Sequence, residues 1–321
     1  MGAAGPSASA SASAPTPAPA PARERTSAPA LQIVEFTDPG CPFAWSAEPS
    51  RRRLDWVYGD QLRWEPRMVG LAESPRDYED KGFTPERQSA SFRRLAREHA
   101  MPIDSVLRTR MAATVPACRA VVATRRHAPE RERAVLRALR VLHFSGWLLD
   151  EPETILAAGL RAGVDGNALR QWLAEPETEA LLRRDLALAR DPSPGALALS
   201  HKLAATDGGG HRYTCPSYEL GRSSDGLRLA VPGFQPLAAY EVAIANLHPE
   251  AQRRPDPRDV EEVLDWAGEP LASAEVAAVC AIELDDARER LGRVAIEEHV
   301  GADGFWRLDA IACPGDPPRR P

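Results

Sequence analysis

Two cysteines in different local contexts constrain this sequence more than any other feature. Cys41 follows the short apolar run 31–36 and precedes a long helical pattern, so it is predicted to lie where a strand ends and a helix begins. Unpaired backbone N–H groups and the positive end of the helix dipole favour a thiolate at such a position. Cys215 stands directly before Pro216, just ahead of two short strand-like runs. If both cysteines belong to one site, the chain handles sulfur chemistry.

The predicted elements follow the order β-α-β, then a helical insertion, then β-β-α. The first helix is predicted to run to about Tyr58 with a kink at Pro49, because proline interrupts a helix interior. Gly208-Gly209-Gly210 is interpreted as a flexible connection that ends the insertion, since it lacks the lysine and Ser/Thr of a phosphate-binding loop. The other elements are strands at 31–36 and 62–69, the insertion at about 75–205, a hairpin at 216–231 and a helix at 236–247.

Three segments, 38–45, 213–217 and 233–237, carry a resemblance to a known family. Over about residues 31–247 the chain resembles the DsbA-like thioredoxin-fold oxidoreductases, near the kappa-class glutathione transferases and 2-hydroxychromene-2-carboxylate isomerases. The resemblance implies an α/β, thioredoxin-like fold with a large helical insertion. It also implies a cis peptide bond before Pro216 and a loop that faces the sulfur of Cys41.

The sequence departs from that family at Ala44. A dithiol enzyme of this type needs Cys-x-x-Cys, because the second thiol resolves the mixed disulfide that the first one forms. Here Ala44 occupies the fourth position, so the usual disulfide cycle within one loop is closed off. Either Cys41 works alone on a small thiol, or Cys215 supplies the second thiol from across the cleft.

The resemblance assigns a role to each candidate site residue. Cys41 is the expected nucleophile, Cys215 the candidate resolving thiol, and Pro216 the residue that shapes the docking loop. Alternatives stay open: Cys41 is inert in a relic site, Cys215 is a small buried residue, and the aromatic side chains are ordinary core. The expected substrate-binding residues are Pro42, Phe43, Trp45 and Thr214.

No metal or resident cofactor is predicted. The five cysteines are widely spaced and show neither a disulfide framework nor paired metal-ligand spacing. His201, Lys202 and His211 precede the Cys215 loop, where one of them could assist a thiolate or join the cysteines in a metal site. A low-molecular-weight thiol is the candidate cosubstrate. The remaining cysteines are interpreted as buried small residues (Cys118 and Cys280) and as an idle residue of the tail (Cys313).

The C-terminal part is predicted to be a small winged-helix-like module. Residues 258–310 show three helical patterns followed by a strand-turn-strand. Residues 258–308 carry 5 Arg against 13 Asp and Glu, a net charge of −8, so repulsion from phosphates argues against DNA binding. The module is expected to pack on the rest of the chain or to mediate dimerisation. The flanking segments are an Ala/Pro/Ser-rich disordered tail at 1–30, a linker at 248–257 and a second tail at 311–321.

Charge and hydropathy narrow the function further. The net charge of −6 argues against a general nucleic-acid or membrane-surface binder, and no apolar run is long enough to span a bilayer. The N-terminal segment lacks the apolar core of a secretory signal, which predicts a cytoplasmic location. The hypothesis is a thiol-disulfide oxidoreductase or thiol transferase that acts on a small thiol or a protein disulfide. The alternative is a non-catalytic thioredoxin-like binding or scaffold protein.

Overall fold

A computed structural model describes residues 30–309 of the chain. The predicted tail at 1–30, apart from its last residue, the tail at 311–321 and Cys313 lie outside those residues. The strands are β1 (Leu31–Thr37), β2 (Leu62–Met68), β3 (Ala204–Ala205), β4 (His211–Arg212), β5 (Ser217–Arg222), β6 (Arg228–Val231), β7 (Leu271–Ala272), β8 (Ile296–Val300) and β9 (Asp303–Arg307).

Helices make up most of the remaining structure. Several of them begin with a proline, which is suited to a first turn because its missing N–H would have no partner there. The helices are α1 (Pro42–Ser46), α2 (Glu48–Tyr58), α3 (Pro75–Glu79), α4 (Pro85–His99), α5 (Val115–His127), α6 (Glu132–Phe144), α7 (Pro152–Arg161), α8 (Gly166–Leu173), α9 (Pro176–Ala189), α10 (Pro194–Leu197), α11 (Leu237–Leu247), α12 (Val260–Ala267), α13 (Ser273–Cys280) and α14 (Leu284–Val294). No helix within residues 30–309 has the length and apolar composition needed to cross a membrane.

The central sheet has the strand order β2-β1-β5-β6. β1 pairs with β2 in parallel and with β5 in antiparallel, so that Ile33 lies between Trp64 and Leu220. β5 and β6 form the predicted hairpin, and α11 packs against it. The predicted order of elements, β-α-β, helical insertion and β-β-α, is therefore confirmed.

Two local predictions about helices are wrong. The single kinked helix after Cys41 is two helices that meet at Ala47, because Pro49 belongs to the first turn of α2 rather than to a helix interior. The insertion is also not helical throughout, since α4 ends at His99, Ala100 follows it in a left-handed conformation, and 101–114 contains no helix. That segment buries Met101, Ile103 and Met111, whose spacing does not follow one helical face.

The C-terminal module contains the three predicted helices and the predicted hairpin, to which β7 adds a third strand. Its buried side chains, including Leu264 and Val276, share one apolar core with Ile33 and Leu54 of the central domain. α13 packs directly against α2. The module is thus built onto the thioredoxin-like part, and its likeness to a winged helix stays a prediction.

The predicted linker at 248–257 lies against the central domain. Trp56 donates its indole N–H to the carbonyl of Pro255 at 2.9 Å, and the guanidinium of Arg254 lies 3.4 Å from the centre of the Trp56 ring. These contacts fix the path of the chain between α11 and α12.

A buried network of charges joins three parts of the molecule. Arg140 of the insertion pairs with Glu48 of α2 and, at 3.3 Å, with Glu35 of β1. Arg137, one helical turn earlier, forms two hydrogen bonds with Glu275 of the C-terminal module, one of them 2.7 Å long. Each charge is buried and paired, which is the condition under which a charge is tolerated inside a protein.

Candidate active site at Cys41 and Cys215

Cys41 lies where the sequence places it, between β1 and α1. It is the N-cap residue of α1, and its N–H donates to the carbonyl of Asp38 at 3.2 Å in the connecting turn. α1 has only five residues, so its dipole is small, but the nearby backbone N–H groups of Ala44 and Phe43 still lower the pKa of the Cys41 thiol. Cys41 is 6% exposed.

Cys215 meets Cys41 across the cleft. The thiol of Cys41 donates to the carbonyl oxygen of Cys215 at 3.2 Å, which places the two cysteines side by side. The peptide bond between Cys215 and Pro216 is cis. Cys215 is 8% exposed, and both thiols are free. The structure therefore brings together the three residues to which the sequence assigned chemistry.

The two thiols have pKa values shifted in opposite directions. The hydrogen bond from Cys215 is the main cause that lowers the pKa of Cys41, against burial, which raises it, and the N–H groups of α1 add to the lowering. Burial, and then the bond and the charge of Cys41, raise the pKa of Cys215. Cys41 is thus the thiol that ionises first, with Cys215 as its protonated partner.

Asp38 organises the turn that carries Cys41. Its buried carboxylate accepts hydrogen bonds from the N–H groups of Gly40 at 2.8 Å and Leu71 at 3.0 Å, and from the hydroxyl of Thr114 at 2.8 Å. Cys118, which was predicted to be a small buried residue, is fully buried and donates to the same carboxylate at 3.5 Å. Burial raises the pKa of Asp38 despite these donors. Sequence analysis missed Asp38, although an Asp-Pro-Gly turn after a strand is a usable signal.

Thr214 has a structural task in the Cys215 loop. Its hydroxyl donates to the carbonyl of Lys202 at 2.8 Å, while Ser217 donates to the Thr214 carbonyl at 2.7 Å and accepts from Gly233 N–H at 2.9 Å. Gly233 has a positive φ of 75°, which glycine adopts without strain. These bonds fix the loop in front of Cys41, so any contact of Thr214 with substrate is in addition to this role.

The predicted substrate-binding residues of α1 separate into two groups. Pro42 is half-buried in the first turn, and Phe43 is 38% exposed beside the thiol pair. Trp45 is 0% exposed, stacks on Phe144 and donates its indole N–H to the Pro102 carbonyl, so it contributes to the core and not to a ligand surface. Residues two positions apart on a helix point about 200° apart, which explains the difference between Phe43 and Trp45.

Three residues that sequence analysis did not assign lie around the site. His99 of α4 and Phe234 stand with Phe43 in one aromatic cluster, with ring centres 4.8–6.4 Å apart. Tyr78 of α3 lies close enough to the thiols that, after burial, the charges of Asp38 and Cys41 raise its pKa. Phe234 belonged to a segment already singled out, but no local pattern marks Tyr78 or His99.

The histidines before the Cys215 loop do not form a metal centre. His201 lies in a short 3₁₀ turn and is exposed, while His211 lies in β4, one of the two strands joined through the triple-glycine segment. Within residues 30–309, no group of three or more His, Cys, Asp or Glu side chains could hold a metal ion. Lys202 contributes only its carbonyl, which accepts from Thr214.

The chain is similar to several known proteins. ClpXP adapter protein SpxH from Halalkalibacterium halodurans is 22% identical over 288 residues, which cover 86% of this chain and 88% of that protein. The cytosolic disulfide reductase DsbM from Pseudomonas aeruginosa is 18% identical with a TM-score of 0.46, covering 68% of this chain and 95% of DsbM. The thiol-disulfide exchange protein alpha-DsbA2 from Wolbachia pipientis is 13% identical with a TM-score of 0.41, covering 70% and 84%.

The family comparison is the decisive one. A family model described as a DSBA-like thioredoxin domain matches residues 32–193, which is half of the chain and includes Cys41, α1 and most of the helical insertion. The strand order, the inserted helices and the cis proline opposite Cys41 are the features that the resemblance implied. The chain belongs to the DsbA-like thioredoxin domain family.

Proposed function

We propose that this protein is a thiol-disulfide oxidoreductase that uses Cys41 as its nucleophile and Cys215 as its resolving thiol. The observation that carries the proposal is the position of the Cys41 thiol, which lies against Cys215 at 3.2 Å from its carbonyl oxygen and beside the cis peptide bond to Pro216. Because Ala44 replaces the usual second cysteine, the dithiol is assembled from two distant loops instead of one.

The proposed cycle conserves atoms and electrons. The Cys41 thiolate attacks one sulfur of a substrate disulfide, and the other sulfur leaves as a thiolate that takes a proton from water. Cys215 then loses its proton and attacks the Cys41 sulfur, which releases the second substrate thiol. The substrate gains two electrons and the Cys41–Cys215 pair loses two. Two molecules of a low-molecular-weight thiol reduce the pair again and leave as their own disulfide.

The electrostatics of the pair set the order of these steps. The negative charge of Cys41 raises the pKa of Cys215, so the two thiols do not ionise together. A mixed disulfide on Cys41 removes that charge and so eases the ionisation of Cys215. Cys215 therefore becomes a nucleophile only after Cys41 has reacted.

Disulfide mapping tests the proposal. After mild oxidation with diamide and digestion without reduction, mass spectrometry should find Cys41 linked to Cys215. The variant C41S should lose both the linked peptide and the reduction of a small disulfide such as dithionitrobenzoate. The matched control is C280S, since Cys280 is a half-buried thiol of the C-terminal module and should leave both readouts unchanged. An oxidised protein without the linked peptide would contradict the resolving role of Cys215.

A second candidate is partner binding without turnover. Both thiols are buried, whereas the aromatic cluster of Phe43, His99 and Phe234 beside them is partly exposed. The relative named above is an adapter protein, which is consistent with recognition as the main task. The rate at which iodoacetamide modifies Cys41 at neutral pH separates the two functions, because turnover needs a reactive thiol. A thiol that reacts no faster than Cys280 would favour the partner-binding function.

We also propose a reducing compartment, the cytoplasm, as the place of action. The described cysteines are all free, as expected where cellular thiols keep cysteine reduced. Substrates would be small disulfides or disulfides of proteins. The acidic C-terminal module remains a candidate protein contact and not a nucleic-acid contact, because its charge repels phosphates.

A further inference from the structure

A wide cleft lies away from the thiol pair, between α2, the helical insertion and the C-terminal module. Its volume is about 910 Å³, and it is lined by the start of α6, the connection from α7 to α8 and the end of α12. Six arginines and four acidic residues line it, although the chain as a whole carries a charge of −6. The cleft is therefore a local excess of positive charge on an acidic protein.

The acidic residues of the cleft are mostly engaged by other groups. Asp55 pairs with Arg51 at 2.6 Å, and Glu269 pairs with Arg52. The carboxylate of Asp165 caps α8, where it accepts from two backbone N–H groups at 2.9–3.0 Å. Little negative charge is left to neutralise the other arginines.

Two arginines on the insertion side lack such partners. Arg161 makes no ion pair within residues 30–309, and its Nε atom is shielded from solvent without a hydrogen-bond partner. Arg131 has only Glu130 beside it, at 4.0 Å, and both side chains are largely exposed. Arg131 extends over Gly163, where an added Cβ would lie 3.5 Å from its Nη1 atom, so it lies close in the fold to the α7 end that carries Arg161. Arg131 and Arg161 are therefore available to bind the carboxylates of a ligand.

The side of the cleft that carries Arg131 and Arg161 is also partly apolar. Leu160, next to Arg161, is 55% exposed, and Ala162 and Val164 continue the lining. A free phosphate would use the guanidinium groups and gain nothing from Leu160. A peptide that places carboxylates beside an apolar side chain contacts both the arginines and Leu160, and the volume of about 910 Å³ is far larger than a single phosphate needs.

We propose that this cleft binds an acidic peptide segment of a partner protein, with Arg131 and Arg161 holding carboxylates and Leu160 contacting an apolar side chain. This function does not depend on the chemistry of Cys41. Because Arg131 and Arg161 carry full charges on a partly exposed wall, binding weakens as salt is added.

Fluorescence anisotropy of the full chain with a labelled Glu/Asp-rich peptide that contains a central leucine tests the proposal. The double variant R131E/R161E should bind about tenfold more weakly or worse, and L160S should lose severalfold. The control is R184E, since Arg184 is an exposed arginine of α9 outside the cleft. It should bind like the unmodified protein, as should C41S, which separates this result from the proposed thiol chemistry.

Three results would overturn the proposal. Equal binding by R131E/R161E would show that the cleft is not used, and equal weakening by R184E would show only a general effect of charge. A peptide without the leucine could also bind as tightly as the original peptide. If pyrophosphate then displaced it at a concentration similar to that of the peptide itself, the cleft would be a simple anion site instead. Unchanged thermal unfolding of each variant establishes that the comparison is made between folded proteins.

Discussion

Two buried carboxylates, ten residues apart in the chain, have pKa values that are shifted in opposite directions. Asp38 is surrounded by neutral donors, and burial raises its pKa. Glu48 is just as buried, yet the charges of Arg51, Arg140 and Arg137 overcome the effect of burial and hold its pKa well below 4.5. Neutral hydrogen bonds orient a buried carboxylate, whereas guanidinium groups also offset its loss of hydration. The turn at Cys41 is thus organised around Asp38, whose negative charge is unfavourable in its buried position. The charge of Glu48 in α2, in contrast, is compensated by arginines.

The largest expected effect follows from removal of the Glu48 charge. In Glu48→Gln, the guanidinium groups of Arg51 and Arg140 lose their main carboxylate while they stay buried, so the free energy of unfolding should fall by about 3–5 kcal/mol. Urea unfolding followed by circular dichroism measures this loss. The control is Glu98→Gln, which breaks an exposed pair with Arg94 and should cost at most about 0.5 kcal/mol. A similar small loss in both variants would contradict the strong compensation at Glu48.

A smaller loss is expected when the turn around Asp38 is crowded. In Gly40→Ala the new Cβ would lie 2.6 Å from Cγ2 of Thr114 and 3.1 Å from Cδ1 of Leu149, so either the turn or these two side chains must shift. Overpacking of this kind costs about 1–3 kcal/mol. Urea unfolding gives the loss, and Gly292→Ala in exposed α14, where nothing lies within 4 Å, is the control. Equal free energies of unfolding in the two variants would show that the Asp38 turn accommodates the added methyl group without strain.

The pH dependence of stability should have opposite signs at the two carboxylates. The folded-state pKa of Glu48 is lowered, so its contribution is present above about pH 4.5 and is lost as the pH falls. The folded-state pKa of Asp38 is raised above 3.8, so its contribution is present at lower pH and is lost as the pH rises through the folded-state value. Each slope is at most about 1.4 kcal/mol per pH unit.

Unfolding curves of the variants across acid pH separate these two contributions. The free energy of unfolding of Glu48→Gln, subtracted from that of the unmodified protein, gives the contribution of Glu48, which should fall as the pH is lowered. The same subtraction for Asp38→Asn gives the contribution of Asp38, which should fall as the pH is raised. Slopes of the same sign in the two difference curves would refute the contrast between neutral and charged partners.

The smallest expected effect concerns Cys41. The charge of Asp38 is one of the causes that raise the pKa of Cys41, so Asp38→Asn should lower that pKa further and speed alkylation at neutral pH severalfold. Cys215→Ala should do the opposite, because it removes the hydrogen bond that lowers the pKa most. The pH profile of iodoacetamide modification measures both shifts. Equal profiles in the two variants would mean that neither neighbour controls the thiol.

The sequence predicts the parts of this molecule that rest on local patterns. The apolar run before Cys41, the proline after Cys215 and the turn at Ser224-Asp225-Gly226 each indicate an element by themselves, and the order of elements along the chain follows from such patterns. The contact between Cys41 and Cys215 came from family resemblance, because no local pattern relates residues 174 positions apart.

What the sequence did not predict depends on tertiary contacts. Glu48, Arg140 and Glu275 look like ordinary charges of solvated helix faces, since the pattern of a helix does not say what a second helix and a distant module bring to it. Tyr78 lies near the thiols only because the chain between β2 and α4 folds back over them. Phe43 and Trp45 were both predicted to bind substrate, although their positions on α1 already place them on different faces.

The apolar core shared by α2 and the C-terminal module has a practical consequence. Ending the chain at residue 247, where the thioredoxin-like elements stop, would bare the side chains of Leu54 and Trp56 to water and leave Arg52 and Arg137 without Glu275. A shortened protein of that kind should aggregate instead of folding, and the intact chain should melt in one cooperative step. Residues 248–309 are therefore an integral part of the fold and not a separable domain.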